Sequence, residues 1–294
     1  KRVRDIQTTL EEAILIAKSD VPGPVYVELP VDILYHESIV REWYGLKSDK
    51  RSMPWWFTRY MNRNVNRIFK DKNRAYPKSD QTNPSKPSSI HIKRVSEFLN
   101  LGQKPVLLIG SQAMQNPDQA KPLSDAVNSL NIPTYVSGMA RGLLCKGDMP
   151  IFRHARKQAL READLLILAG VPCDFRLDYG RHINHEAKIV SINLSREDLY
   201  LNRKPSLGIL QDPSIFLINL SQTYKQKDWR RWKKVLQDRD QQRSDEISYQ
   251  AEDKTDFINP LKICMAINRH IQSGDIIVAD GGDFVATASY ILQP

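Results

Sequence analysis

Three apolar runs, each closed by glycine or asparagine, constrain the fold of this chain more than any other feature. They lie at 105–110 (PVLLIG), 163–170 (ADLLILAG) and 188–193 (KIVSIN). Runs apolar at nearly every position suit strands covered on both faces, which is the situation of a parallel sheet flanked by helices. A glycine at the carboxyl end lets the chain turn sharply and brings the backbone close to whatever sits there. Helical patterns separate the runs, so the alternation is β-α-β. In open α/β sheets of this kind the crevice beyond the strand ends takes ligands.

The helices around these strands follow from periodicity and caps. Ser88 or Ser89 caps a helix to Leu101, with Ile92, Val95, Phe98 and Leu99 as its inner stripe. A second helix is expected over 120–130, a short strand over 133–137 and a third helix over 154–162. Residues 225–254 read as a charged amphipathic helix whose Trp229 and Trp232 share a face and which either covers the domain's surface or connects domains. Upstream, Ile6, Leu10, Ile14 and Ala17 define a helix to about Lys18. After the 22–24 Pro-Gly-Pro break, 25–29 (VYVEL) reads as a strand stopped by Pro30. Downstream, Asn259 and Pro260 start a helix to Ile271, 275–280 (DIIVAD) reads as a buried strand, and a helix starts near Val285. A lone strand with one helix has no ladder and no core, so both ends read as parts of further α/β domains.

Composition matters mainly for where charge sits. The formal charge is +9, yet residues 41–94 alone hold fourteen Lys or Arg against four Asp or Glu, so the remainder is close to neutral. With Pro54, Pro77, Pro84 and Pro87 in the same stretch, it reads as a solvated linker. The alternative is contact with an anionic membrane surface, because Trp55, Trp56, Phe57 and Tyr60 stand among the cations. No nucleic-acid partner is expected. No apolar run reaches the roughly 18–20 residues a membrane-spanning helix needs. Cys145, Cys173 and Cys264 are odd in number and lack metal-ligand spacing, which suggests a reducing setting.

Candidate site residues cluster at the strand ends. The loop Gly138-Met-Ala-Arg-Gly142 follows a strand and offers bare backbone N–H groups with a cation, Arg141; it is either a phosphate-contacting loop or a plain glycine pair. Beyond Gly170, Cys173 reads as a packed thiol rather than a nucleophile, since no His and carboxylate stand near it in sequence. Arg176 either pairs with Asp174 to hold the loop or binds a ligand anion. The histidines stand singly and give no metal site, and no catalytic residue is identified.

Three separated blocks carry a family resemblance. GPVYVELPVD at 23–32, GMARGLL at 138–144 with GVPCDFR at 170–176, and VADGGDFVATA at 278–288 resemble the acetolactate synthase and 2-hydroxyacyl-CoA lyase group of thiamine-diphosphate enzymes. The resemblance implies an α/β fold with a central Rossmann-like parallel-sheet domain flanked by partial thiamine-diphosphate-binding domains. Residues 1–40 would be the C-terminal end of a pyrimidine-binding domain, 41–87 a basic linker or insert, 88–255 the central domain, and 256–294 the truncated start of a diphosphate-binding domain. It further implies thiamine diphosphate and Mg2+ as cofactors, with CoA or another adenine nucleotide in the central domain and FAD less favoured. The turn at Gly282, Asp283 and Phe284 would face the cofactor diphosphate. Gly110, Ser111, Gln112, Gly138, Arg141 and Arg176 would form the nucleotide side.

The activity implied is cleavage of a 2-hydroxyacyl-CoA to an aldehyde and formyl-CoA. An acetolactate-type carboligase, or a non-catalytic nucleotide-binding module, is the alternative. The family's activating glutamate and its metal-binding motif match nothing between Lys1 and Pro294, so the chain alone is expected to be inactive. A homodimer or tetramer acting on a small acyl-CoA is implied. An endoplasmic-reticulum membrane location for the parent protein is implied by resemblance only, and no targeting segment is visible in these residues.

Overall fold

The computed structural model describes residues 2–19, 21–46, 53–70, 88–144, 151–225, 227–254, 256–272 and 274–293. The chain forms two compact units, 1–83 and 84–294.

In the first unit, α1 (Ile6–Lys18), α2 (Glu37–Trp43) and α3 (Trp55–Phe69) are the helices. The structure departs here from the linker expectation. Helix α3 lies inside the basic segment and buries Val65, Ile68 and Phe69 against Ile33 and Val40. Residues 25–29, read as a strand, pair with no strand among the described residues. An apolar alternating segment becomes a strand only where a ladder partner satisfies its backbone.

The second unit is built on a five-stranded, all-parallel sheet of order β2-β1-β3-β4-β5. The strands are β1 (Pro105–Ile109), β2 (Thr134–Val136), β3 (Leu165–Ala169), β4 (Lys188–Asn193) and β5 (Leu207–Leu210). Every residue of β1 and β3 is buried, as the uninterrupted apolar runs require. The helices are α4 (Ser89–Leu101), α5 (Ala120–Leu130), α6 (Arg156–Glu162), α7 (Arg196–Tyr200), α8 (Pro213–Thr223) and α9 (Arg230–Ala251). Helix α8 packs on both α4 and α5. Its cap is Asp212, whose carboxylate accepts from Ser214 N at 2.8 Å and Ile215 N at 3.2 Å. Trp229 and Trp232 are buried, and their indole N–H groups donate to Gly102 O and Pro105 O, each at 3.1 Å. These two bonds moor the start of α9 to the entrance of β1.

Two further helices, α10 (Pro260–His270) and α11 (Asp283–Ile291), form a small cluster with α9 through Ile247, Cys264, Ala288 and Ile291. Residues 275–280, read as a buried strand, pair with no strand among the described residues, and Ile276 and Val278 are each 89% exposed.

Candidate functional site

The strand-end loops meet because their glycines let them. A Cβ on Gly110 would lie 2.5 Å from both Gly170 O and Val171 Cγ2, and one on Gly138 would lie 2.4 Å from Ser111 Oγ. Gly138 and Gly170 also hold left-handed backbone, at φ 58° and 72°. Ser111 Oγ accepts from Met139 N at 3.2 Å. Gly110, Ser111 and Gly138 are thereby brought together at the carboxyl ends of β1 and β2. Gln112 is buried and bridges to the next loop: its Oε1 accepts from Leu194 N at 2.9 Å and its Nε2 donates to Asp198 Oδ2 at 2.8 Å. Its amide is used in tying the end of β1 to the end of β4.

Arg141 reaches away from this group. Its Nη1 donates to Ser289 O at 2.9 Å, and Arg153 Nη2 donates to Leu292 O at 2.5 Å. The two guanidinium groups thus cap the C-terminal carbonyls of α11, where the helix dipole favours cations. The turn at Gly282 lies at the other end of the same helix, about 13 Å away at 1.5 Å per residue. Arg141 and the Gly282 turn therefore face different places. That turn is open. Among the described residues no atom beyond the chain neighbours lies within 4 Å of a Cβ built on Gly281 or Gly282, Gly282 has φ 108°, and this N-cap glycine gives α11 no side-chain cap. Phe284 is half exposed, and Asp283 is the first residue of the helix.

Arg176 leads into a cationic cleft. Its Nη2 and Nε donate to Asp174 Oδ2 at 2.5 and 3.0 Å, and its guanidinium lies 5.6 Å above the Phe175 ring. Burial alone would raise the Asp174 carboxyl, but the hydrogen bonds and charge of Arg176 outweigh it and hold the group below its ordinary value. Arg156 Nη2 donates to Arg176 O at 3.2 Å, so the two arginines stand side by side. Around them a cleft of about 500 Å3 is lined by Arg153, Arg156, Lys157, Arg176, Arg239 and Arg243, with His154, His182, Glu246 and Tyr290 completing the wall.

Part of this charge is balanced within the protein. Arg239 pairs with Glu162 at 2.9 Å and Arg243 with Glu246 at 2.8 Å, while Asp240 Oδ1 accepts from the backbone N–H groups of Arg153 and His154 at 2.8 and 2.6 Å. Part is not. No carboxylate of the described residues pairs with Arg156, and Arg239 Nη1 is buried without a hydrogen-bond partner. Burial holds the guanidinium groups of Arg141, Arg153 and Arg156 below their ordinary values, and the charge of Arg141 adds to the effect at Arg156. Such a cleft can stabilise a multiply charged anion, because an incoming phosphate supplies the acceptors these donors lack.

Most of the cleft was not marked by the sequence motifs. Its residues come from the segment before and into α6, the loop after β3, and the middle of α9, and no spacing links them. Cys173 behaves as packed core: it is buried, and burial pushes its thiol up to about 11. Cys145 lies outside the described residues. Among the described residues no group of three or more His, Cys, Asp and Glu is placed to hold a metal ion.

Comparison with known proteins places this geometry in a lineage. A model of the thiamine pyrophosphate enzyme central domain matches residues 92–220. The 2-hydroxyacyl-CoA lyase 2 of Xenopus laevis is 38% identical over 99% of the chain, and that of Danio rerio is 35% identical over 100%; each alignment covers 49% of the relative. Among solved structures, the thiamine diphosphate-dependent 4-hydroxybenzoylformate decarboxylase of Rhodococcus jostii RHA1 superposes with a TM-score of 0.64 at 14% identity, over the whole chain and 49% of that protein. The chain spans about half the length of the curated relatives it matches.

Proposed function

Residues 92–220 are a thiamine pyrophosphate enzyme central domain, and from that premise we propose that the protein cleaves 2-hydroxyacyl-CoA substrates to an aldehyde and formyl-CoA. The observation that carries the reading is the cleft with its unpaired Arg156 and orphaned Arg239 Nη1. CoA brings a diphosphate and a further phosphate, the kind of polyanion that such a site stabilises. The name of the relatives, 2-hydroxyacyl-CoA lyase 2, supports the same substrate class.

In this reaction the 2-hydroxyl gives up its proton, the bond between C1 and C2 breaks, and C1 takes a proton to become the formyl thioester. The second product is the aldehyde. Thiamine diphosphate, when bound, supplies the electron sink that makes the carbanion at C1 accessible. The chain's own fit to that group would rest on the turn before α11, where the helix starts from a glycine with no side-chain cap and could offer backbone N–H groups to a diphosphate, which would have to displace the bond from Gly281 N to Asp280 Oδ1 at 2.7 Å. Mg2+ would accompany the diphosphate. Arg153, Arg156 and Arg176 would hold the nucleotide end of CoA and so orient the thioester, while the loop of Gly110, Ser111 and Gly138 forms the rigid floor between the strands.

The test is turnover by the full-length protein. With thiamine diphosphate and Mg2+, a 2-hydroxyacyl-CoA should yield aldehyde and formyl-CoA in equal amounts. Arg156→Ala and Arg176→Ala should each raise KM for the CoA ester about tenfold or more while leaving kcat nearly unchanged, the signature of lost uniform binding. Formation of acetolactate from pyruvate, with no aldehyde from the CoA ester, would replace the lyase reading with the carboligase. Tight nucleotide binding without turnover would replace both.

A further inference from the structure

We propose that α3 is a membrane-surface helix that lays its solvent face on a bilayer carrying anionic headgroups. At 100° per residue, Trp55, Trp56, Arg59, Tyr60, Arg63 and Arg67 fall within roughly 140° of the helix circumference. That arc is the exposed one: Trp55 is 76% exposed, Trp56 60% and Tyr60 63%, and the three arginines are exposed as well. The opposite arc, through Val65, Ile68 and Phe69, is buried in the first unit's own core, so the helix orientation is set by its packing. Arg41 reinforces it, with Nη1 donating to Asn62 Oδ1 at 3.2 Å and Nη2 to Asn66 Oδ1 at 2.5 Å.

Charge selects the occupant. Helix α3 contains no Asp or Glu, so its exposed arc is cationic and aromatic with Asn66 as an uncharged polar residue among them. Trp and Tyr prefer the headgroup level of a bilayer, where the ring is shielded and its polar atom stays wet, and arginine beside them gains from anionic lipid. A single-stranded nucleic acid would want rings spaced along a groove for successive bases. Here the rings form one patch at the N-terminal end: Phe57 lies 5.8 Å from Trp56 and 6.5 Å from Tyr60, centroid to centroid. Lying flat is the available mode, because no helix among the described residues is long and apolar enough to cross a membrane. The inference is independent of the lyase reading and of the cleft.

Vesicle flotation of the full chain tests it. The probes are phosphatidylcholine vesicles and vesicles in which about a third of the lipid is phosphatidylserine. Binding is expected only to the latter, weakening as salt rises. The double variants Trp55→Ala with Trp56→Ala, and Arg59→Gln with Arg63→Gln, should each cut binding at least about tenfold. Lipid brominated on its acyl chains should quench tryptophan emission, and the tryptophan double variant should remove most of that quenching, since Trp229 and Trp232 are buried and only Trp43 stays exposed outside α3. Because the substituted residues face solvent, unchanged far-UV circular dichroism establishes that the variants fold. Equal flotation of wild type and variants overturns the proposal. So does absence of flotation, binding of a single-stranded oligonucleotide in its place, or concentration-dependent self-association that these variants abolish.

Discussion

Gly110 shows how one residue sets the geometry of the strand-end loops. Its backbone is extended, at φ −126° and ψ −172°, so conformation does not demand glycine there. Space does, because a methyl group would lie 2.5 Å from Gly170 O, a backbone atom that cannot move aside alone. Gly110→Ala is expected to cost about 1–3 kcal/mol by overpacking, read as a lower urea midpoint with unchanged m-value. His154 makes a different kind of prediction. Burial, outweighing the nearby Asp240, holds its imidazole below the ordinary 6.5. The neutral form is therefore the folded one. Its contribution is fully present above pH 6.5 and declines as the pH falls below that value. His154→Gln should flatten that part of the acid limb in a stability-against-pH series. The glycines were legible in the sequence as strand-end markers. Their reason, loops packed against each other, was not, because it depends on which loops become neighbours.

Among the elements, legibility follows burial. Strands β1 and β3 stand out because the parallel sheet covers both of their faces and leaves no polar position to blur the run, while β4 keeps its apolar Ile189, Val190 and Ile192 despite Ser191 and Asn193. Strand β5 escaped notice: it has four residues at the sheet edge, only one of them buried. Helix α3 was hidden by its arginines and asparagines, which read as linker composition until Val65, Ile68 and Phe69 are seen to share a face. At the far end, α11 depends on a cap its own sequence lacks, since Arg141 and Arg153 bring cations to its last carbonyls. Arg153→Met should speed amide exchange at the C-terminal turn of α11 by roughly five- to tenfold and leave β1 unchanged, as measured by hydrogen exchange. Equal acceleration in both would mean global destabilisation instead.

At the scale of the molecule, the second unit joins two kinds of structure: a closed parallel-sheet core, and the helices α10 and α11 held to it through α9 and two arginines. The residues expected on the nucleotide side and on the cofactor side divide between these parts. Gly110, Ser111 and Gly138 share the sheet's edge, Arg176 joins the cleft, Arg141 caps α11, and the Gly282 turn lies at that helix's opposite end. By itself the sequence determined the α/β class, the three central strands and the likeness to thiamine-diphosphate enzymes, because burial on two faces and short motifs are local patterns written along the chain. Only the tertiary structure showed that 25–29 and 275–280 join no ladder among the described residues, since a ladder needs a partner that no local pattern supplies. It alone also assembled the cationic cleft, whose arginines come from three segments far apart in the chain and become one electrostatic site only when α6, α9 and the loop after β3 converge.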